Sequence, residues 1–423
     1  NKTVMQQNFS YCNRCGRKII GFPIEFCRAD LFSKYGNKQQ SKNGDINAFI
    51  KKTKVVSVNC DDFVEWIPIS DIENINSLEQ SGYSKICSGV WKPFKSRNKS
   101  IDEQEMPSLN VILKVLKSSQ NFDNKFLNEF EIHYKCLEIC AIPFYGLTMH
   151  PETSDYSMII KQAQQGDLRN FIRSNKSRIS WEERAIILVN IAKSLSSLHQ
   201  LELVHRDFHS RNILIDDNMK VFFGDFGLSG SVNSQIGKNE SIEGVLPYIA
   251  PEVLRGNPYT KKSEIFSLGI IMWELAFFKP PFMDRSHDII ELSKDIDKSP
   301  TLIMLNHLQQ ISKKVVKLEE FEKDEAGAID VDEDYQTKQL DYDLHLKQRS
   351  EVIFMSVNRP SLPQRILKEI IQRVSKFLHA KKKHEHVFND NFEIDKRYIT
   401  QKYNFTSKDI LKLLKEKQKT FVC

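Results

Sequence analysis

Apolar positions change rhythm along the chain. Between Trp66 and about Lys161 they come in short runs, Asn110–Leu116 and Met158–Ile160 among them, separated by polar stretches. Short apolar runs between polar breaks suit strands. One stretch near Phe126–Cys140 keeps a helical spacing instead. From Gly166 onward the helical period takes over. Ser180 followed by Glu183 forms a capping box ahead of Ile187, Ile191, Leu195 and Leu198, which fall on one face of a buried helix. Ser263–Phe278 is apolar nearly all round, as the central helix of a large lobe must be. The pattern predicts an α+β chain, a small antiparallel sheet with one helix followed by a larger, mainly helical part.

The flanks read differently. The run Asn37–Asn47 is rich in Lys, Gln, Ser, Asn and Gly and reads as a flexible connection, with a boundary before Phe63. Residues 318–334 carry a run of Asp and Glu that suits a solvated loop. Leu362, Ile366, Ile370 and Val374 lie at helical spacing ahead of Lys381, Lys382 and Lys383, predicting a core-packed or docking helix rather than a membrane-binding one. The expected organisation is 1–62 as a cysteine-bearing segment and linker, 63–161 as a small lobe and 162–360 as a large lobe, with 361–423 as a helical extension. Residues 284–358 are expected to diverge or to hold an insertion.

The 423 residues carry 61 basic and 55 acidic side chains, a net +6. That is an ordinary solvated surface and argues against a nucleic-acid partner. The sequence shows no secretory leader and no run of about 18 apolar residues, so the expectation is a soluble, cytoplasmic protein with no membrane partner. Eight scattered cysteines do not make a secreted disulfide framework, and reduced thiols are expected.

The densest chemistry is His205-Arg206-Asp207-Phe208-His209-Ser210-Arg211-Asn212, followed by Asp225-Phe226-Gly227. Phosphoryl transfer to a hydroxyl needs these groups in this order: Asp207 to meet the nucleophile's proton, Asn212 and Asp225 to hold two Mg²⁺. Val111-Ile112-Leu113-Lys114 ends an apolar strand in a cation that can reach phosphates, and Glu129 on the following helix can fix that lysine. Ala250-Pro251-Glu252 closes the segment that opens at Asp225.

On these motifs the chain resembles the eukaryotic protein kinases over about Trp66 to Met283. Glu65-Trp66-Ile67-Pro68, the His209-containing loop, Gly244-Val245-Leu246-Pro247-Tyr248 and Met272-Trp273-Glu274 are further similar to the tyrosine-kinase-like group, in particular a large fungal family with an N-terminal cysteine module. The resemblance implies a bilobal fold, ATP and Mg²⁺ as cofactors, and a protein substrate. It also implies Ile160 as gatekeeper, Lys161, Gln162 and Ala163 as the adenine-reading hinge, and Asp167 near the ribose.

Several positions depart from the pattern. Aligning Tyr83 and Ile86 on the phosphate loop puts Glu79, Ser81 and Ser84 at the three glycine positions, with Gly82 between them. Glycine there lets backbone approach phosphate, so weaker ATP binding is expected. His209 and Val245 replace a lysine and a threonine that usually bond each other and the catalytic Asp, and their joint loss strands neither. Arg211 is similar to the tyrosine kinases, so the acceptor reads as Ser/Thr first, with Tyr or dual specificity open. Glu264 stands where an Asp usually anchors the catalytic loop, and a slight shift of the loop is expected. Arg359-Pro360 is a candidate partner for Glu252.

Arg206 in this position implies regulation by phosphate on the activation segment, from an activating kinase or by autophosphorylation, with Ser229, Ser231, Ser234 and Ser241 as candidates. Cys12-x-x-Cys15 and Cys27-x-x-Asp30 have the spacing of a zinc ribbon with one ligand replaced, open between a Zn²⁺ site and a metal-free segment. A pseudokinase scaffold that binds nucleotide without efficient turnover is the alternative to an active kinase.

Overall fold

In a computed structural model of the chain, the described residues are 11–12, 16–19, 27–35, 40–59, 61–80, 84–93, 108–117, 119, 124–150, 152–176, 178–232, 242–254, 256–281 and 401–403. Contacts divide it into two units, Asn1–Gly166 with Phe222–Gly227, and Asp167–Val221 with Leu228–Cys423.

The first unit is built on strand alternation. In β4 (Leu109–Leu116) Val111, Leu113 and Val115 enter one buried cluster, and the two-residue period sends Lys114 and Leu116 to the opposite face. The remaining strands are β1 (Glu65–Trp66), β2 (Ile72–Gln80), β3 (Ser84–Trp91), β5 (Phe144–Met149) and β6 (Tyr156–Lys161). Their order in the sheet is β1-β5-β6-β4-β3-β2. All neighbours are antiparallel except the short edge strand β1, which runs parallel to β5. Gly146 sits opposite Glu65 on that edge, and a Cβ there would lie 2.4 Å from the Glu65 carbonyl oxygen. Only glycine permits the approach.

Both faces of the sheet are covered by chain that composition assigns to a linker. On one face Cys12, Ile19, Cys27 and Leu31 pack with Ile67, Trp91, Leu113, Tyr145 and Ile159. On the other lie two helices, α2 (Gly44–Val56) and α3 (Asn124–Lys135), through Ile46, Phe49, Ile50, Phe130 and Tyr134. The helix expected within 63–161 is α3; α2 and a further helix, α1 (Arg28–Tyr35), precede it among the described residues of the segment expected to be a cysteine-bearing stretch and linker. The polar run 37–47 ends as a helix start: Asn43 is the N-cap of α2, its side chain accepting from the amides of Asp45 and Ile46. Polar composition there marks a cap.

Arg28 on α1 is fully buried. It donates to the carbonyls of Asp61 (3.1 Å), Phe63 (2.8 Å) and Tyr145, pairs with Glu65 at 3.1 Å, and lies 4.4 Å from the Phe63 ring centre. A buried guanidinium persists only when its charge is met, and here the charge and both terminal nitrogens are met by chain segments far apart in sequence. The Glu65-Trp66-Ile67-Pro68 motif is therefore an anchor: Glu65 takes the cation, Ile67 enters the core, and Trp66 meets Tyr156 edge-on.

The second unit is mainly helical, as predicted. Among its described residues the helices are α4 (Leu168–Ser174), α5 (Trp181–Gln200), α6 (Pro251–Leu254) and α7 (Lys261–Phe277). The capping box of Ser180 and Glu183 is formed, and Ile187, Ile191, Leu195 and Leu198 are buried. A second box, Thr260 with Ser263, opens α7, and Phe278 closes it in the left-handed conformation. Short strands β7 (Leu203–Val204) and β10 (Gly230–Ser231) pair antiparallel; β8 (Ile213–Ile215) and β9 (Val221–Phe223) flank the turn between them in sequence. A further antiparallel pair joins β11 (Ile242–Gly244) to β12 (Gln401–Tyr403). The acidic run, Arg359-Pro360, the helix expected at Leu362–Leu378 and Lys381–Lys383 lie outside the described residues.

Arg28→Ala would leave the Glu65 carboxylate and the carbonyls buried without their donor. Loss of one partner of a buried ion pair costs about 3–5 kcal/mol. The expected result is that large a fall in stability by urea unfolding, against less than about 0.5 kcal/mol for the exposed Lys52→Ala.

Candidate functional site

Lys114 projects from β4 into a cage of two carboxylates. Its Nζ donates to Glu129 Oε1 at 2.5 Å and to Asp225 Oδ1 at 2.7 Å. Burial would push the ammonium toward neutrality; the Asp225 and then the Glu129 charges override it and hold the lysine protonated, well above its ordinary range. The three residues come from a strand, a helix and a loop more than a hundred positions on. Asp225 has φ 59, a left-handed backbone uncommon for a non-glycine residue. Asp225 belongs to Phe222–Gly227, which joins the first unit through hydrogen bonds from the Phe223 N–H to the Cys140 carbonyl at 2.6 Å and from the Ile142 N–H to the Phe223 carbonyl at 3.2 Å.

His133, four residues after Glu129 on α3 and so on the same side of the helix, supports this arrangement and was not singled out in the sequence. Its ring packs edge-on against Phe226 at 5.2 Å, and its Nε2 lies 2.7 Å from the Ile142 carbonyl. A carbonyl only accepts, so Nε2 carries the proton. Burial pushes its pKa down to about 4; the Ile142 bond opposes this and the Lys114 cation adds to it. The ring is neutral at pH 7. Helical spacing from Glu129 is the signal that would have found it.

Along the same unit, Ile160 pairs with Ile112, and Ile86 with Lys114, in the sheet register. The Lys161 amide donates to Pro143, the Gln162 amide to Asn110, and Ala163 accepts from the Gly166 amide in a tight turn where Gly166 has φ 73. Ser84 is buried on β3; Gly82 lies outside the described residues. The zinc reading is not upheld. Cys12 and Cys27 are buried in an apolar cluster, Asp30 is on α1, and Cys15 lies outside the described residues, among which no group of three metal-ligating side chains occurs.

In the second unit Asp207 is buried and oriented by its own loop. Asn212 Nδ2 donates to the Asp207 carbonyl at 2.8 Å and to Oδ2 at 3.2 Å. His209 accepts the Arg211 amide on Nδ1 at 3.2 Å, which places its proton on Nε2, 3.5 Å from Asp207 Oδ1. Gly244 comes close as well: its φ is 142, and a Cβ there would lie 3.6 Å from Asp207 Oδ1. Val245 is buried beside it, filling apolar space where a polar partner was expected.

Glu264 does what its shorter counterpart would do. Its Oε1 accepts the Arg206 amide at 2.8 Å, and its second oxygen meets His199 Nε2 at 2.7 Å. The longer side chain is accommodated by that second partner. Arg206 has φ 65, a left-handed conformation that costs about 1–3 kcal/mol and persists only when neighbours over-determine it. Its guanidinium lies over Gly230 and donates to the Ser231 carbonyl at 3.3 Å. Ser229 is buried with its hydroxyl donated to the His205 carbonyl at 3.1 Å, which removes it as an accessible acceptor; Ser231 is exposed, and Ser234 and Ser241 lie outside the described residues. Asp167 is the N-cap of α4, binding the Asn170 amide at 2.8 Å and its side chain at 2.6 Å.

Comparison with known proteins places these geometries. The sequence pattern of the family described as protein tyrosine and serine/threonine kinase matches residues 72–316, more than half of the chain. The chain belongs to this family. Among curated relatives from Dictyostelium discoideum, the kinase is 30% identical to "Stress-activated protein kinase alpha" over 171 residues, covering 39% of this chain and 26% of that one. It is 26% identical to "Probable serine/threonine-protein kinase drkC" over 227 residues, covering 52% and 28%. A further probable serine/threonine-protein kinase is 33% identical over 213 residues, covering 49% and 19%. The chain spans less than a third of the length of each of these relatives. The fold is thus a protein-kinase fold of α+β class. No helix among the described residues is long and apolar enough to cross a membrane.

The neutral His133 gives a pH dependence. The unfolded ring titrates near 6.5 and the folded ring near 4, so the unfolded state binds the extra proton as pH falls. This contribution is complete above pH 6.5 and is lost between 6.5 and about 4, amounting to about 2 kcal/mol at pH 5. Urea unfolding at pH 8 and pH 5 should show that loss, and the pH slope should flatten in His133→Leu.

Proposed function

We propose that this chain is an active protein kinase that transfers the γ-phosphoryl group of ATP to a protein hydroxyl, serine or threonine in preference to tyrosine. The observation that carries this reading is the closed set Lys114–Glu129–Asp225, since a lysine held by the helix glutamate beside the metal-binding aspartate is what active kinases require. A scaffold without turnover has no need of it.

The donor set fits Mg-nucleotide. Asn212 uses its amide hydrogens on Asp207 and so presents its oxygen, and the Asp225 side chain is 43% exposed. Hard oxygen ligands of this kind suit Mg²⁺. Bound Mg-ATP supplies the electrophilic phosphoryl group and neutralises charge on its oxygens. Lys114 holds the α- and β-phosphates, Ile86 and Ile160 bound the adenine pocket, and the backbone of Lys161 to Ala163 reads the adenine edge. Asp167, bonded to Asn170 through both oxygens, keeps acceptor capacity that would take a ribose hydroxyl.

Asp207 orients the acceptor hydroxyl and takes its proton. His209, its Nε2 at 3.5 Å from Asp207 Oδ1, fills the position of the missing lysine. The serine/threonine preference is supported by the relatives' names. Membership of the tyrosine-kinase-like group is supported by the Glu65-Trp66-Ile67-Pro68 anchor and the Gly244–Tyr248 turn, and a cytoplasmic place of work by a cysteine spacing that makes no secreted disulfide framework. Arg206 over Gly230 and Ser231 supports control by phosphate on the following segment.

Incubation of purified protein with Mg²⁺ and labelled ATP should give phosphoserine or phosphothreonine on the chain or on a general protein acceptor. Asp207→Ala should lower the rate by at least about 100-fold. Tight nucleotide binding with no label above that of the Asp207→Ala protein would overturn the reading.

A further inference from the structure

The family pattern begins at Ile72, so α2 lies wholly outside it, yet α2 is packed along the helix that carries Glu129. Phe49 touches α3 twice, meeting the Phe130 ring at 6.1 Å and the Tyr134 ring edge-on at 6.0 Å. Phe130 and Tyr134 are four residues apart and form one side of α3; Glu129 and His133, also four apart, form the adjoining side. The Tyr134 hydroxyl donates to the Thr53 carbonyl near the end of α2 at 3.2 Å, and Lys52 reaches Glu131 at 3.3 Å.

The clamp is itself held at both ends. Asn43 caps its start, and at its end the Thr53 hydroxyl accepts the Val64 amide at 3.1 Å, tying α2 to the entry of β1. Asn59, beyond the helix, donates to Glu138, just after α3. Helix α3 is therefore fixed by chain from outside the family domain, on the flank next to the one that faces Lys114.

We propose that α2 is a built-in clamp on α3 and that Phe49 is a positioning residue for the kinase reaction, acting through Glu129. The proposal rests on the kinase reading for its consequence and on packing for its cause. Phe49 fills the space against Phe130 and Tyr134, and the rotation that would carry Glu129 away from Lys114 has to open that contact. Helix α2 then positions the helix that carries Glu129 rather than serving as a tether.

Carbodiimide coupling of glycine ethyl ester to Glu129, followed by peptide mass spectrometry on the full chain, tests the clamp without needing turnover. Glu65, buried and ion-paired in the same unit, is the internal control. Phe49→Ala should raise Glu129 labelling about 5-fold or more and leave Glu65 unchanged. It should also lower kcat about tenfold with little change in KM for ATP, and add no further loss in a Glu129→Gln background. Should Phe49→Ala not fold, Phe49→Leu, which keeps apolar fill but loses the ring contacts, should show the same selective rise at smaller size. Unchanged Glu129 labelling in the folded variant, or an equal rise at Glu129 and Glu65, would overturn the proposal; absence of turnover in the wild type would overturn the kinase reading alone.

Discussion

Lys114 is the charge around which the first unit is arranged. A protonated ammonium with a side chain only 9% exposed is tolerable only with carboxylates in contact, and the two that meet it arrive from α3 and from the Asp225 loop. Each of those elements needs its own fixing. Helix α3 is held by α2 and the sheet, and the Asp225 loop by Phe226 on His133 and by Phe223 on Cys140. The lysine thus converts a requirement on one charge into requirements on four segments.

The same logic governs the second unit around Asp207. A buried carboxylate near a left-handed Arg206 is stable only because Glu264 takes the Arg206 amide, and Glu264 is held in turn by His199. Tyr248 fastens the turn after Gly244 through the Ser267 hydroxyl on its carbonyl at 2.7 Å, with Arg169 at 2.7 Å and Ser210 at 3.1 Å on its own hydroxyl. Arg169 pairs with Glu274 at 3.0 Å, connecting that turn to α7. The replacements His209 and Val245 fit this frame, one lying 3.5 Å from Asp207 and the other removing polarity from a buried position.

Chain outside the family pattern contributes as much as chain inside it. Arg28 gathers three carbonyls and Glu65 under one side of the sheet, while Phe49 lies on α3 at the other. Cysteine spacing near the start suggested metal chemistry, yet Cys12 and Cys27 behave as small buried hydrophobes. A cysteine side chain is apolar enough to join a core, so its spacing alone does not make a metal site.

Local signals determined a large share of this molecule. Capping chemistry at Ser180, period-two alternation in β4, and the order Lys114, Glu129, Asp207, Asn212, Asp225 are properties of neighbouring residues and of motif spacing, and they were legible from the chain alone. Tertiary structure alone decided that Asn43 starts a helix, that Arg28 is buried, that His133 is neutral, and that Ser229 is closed off. Each of these depends on what a distant segment places against the residue: a lone arginine reads as surface until Glu65 and three carbonyls surround it, and a histidine's charge is set by burial that no local pattern records.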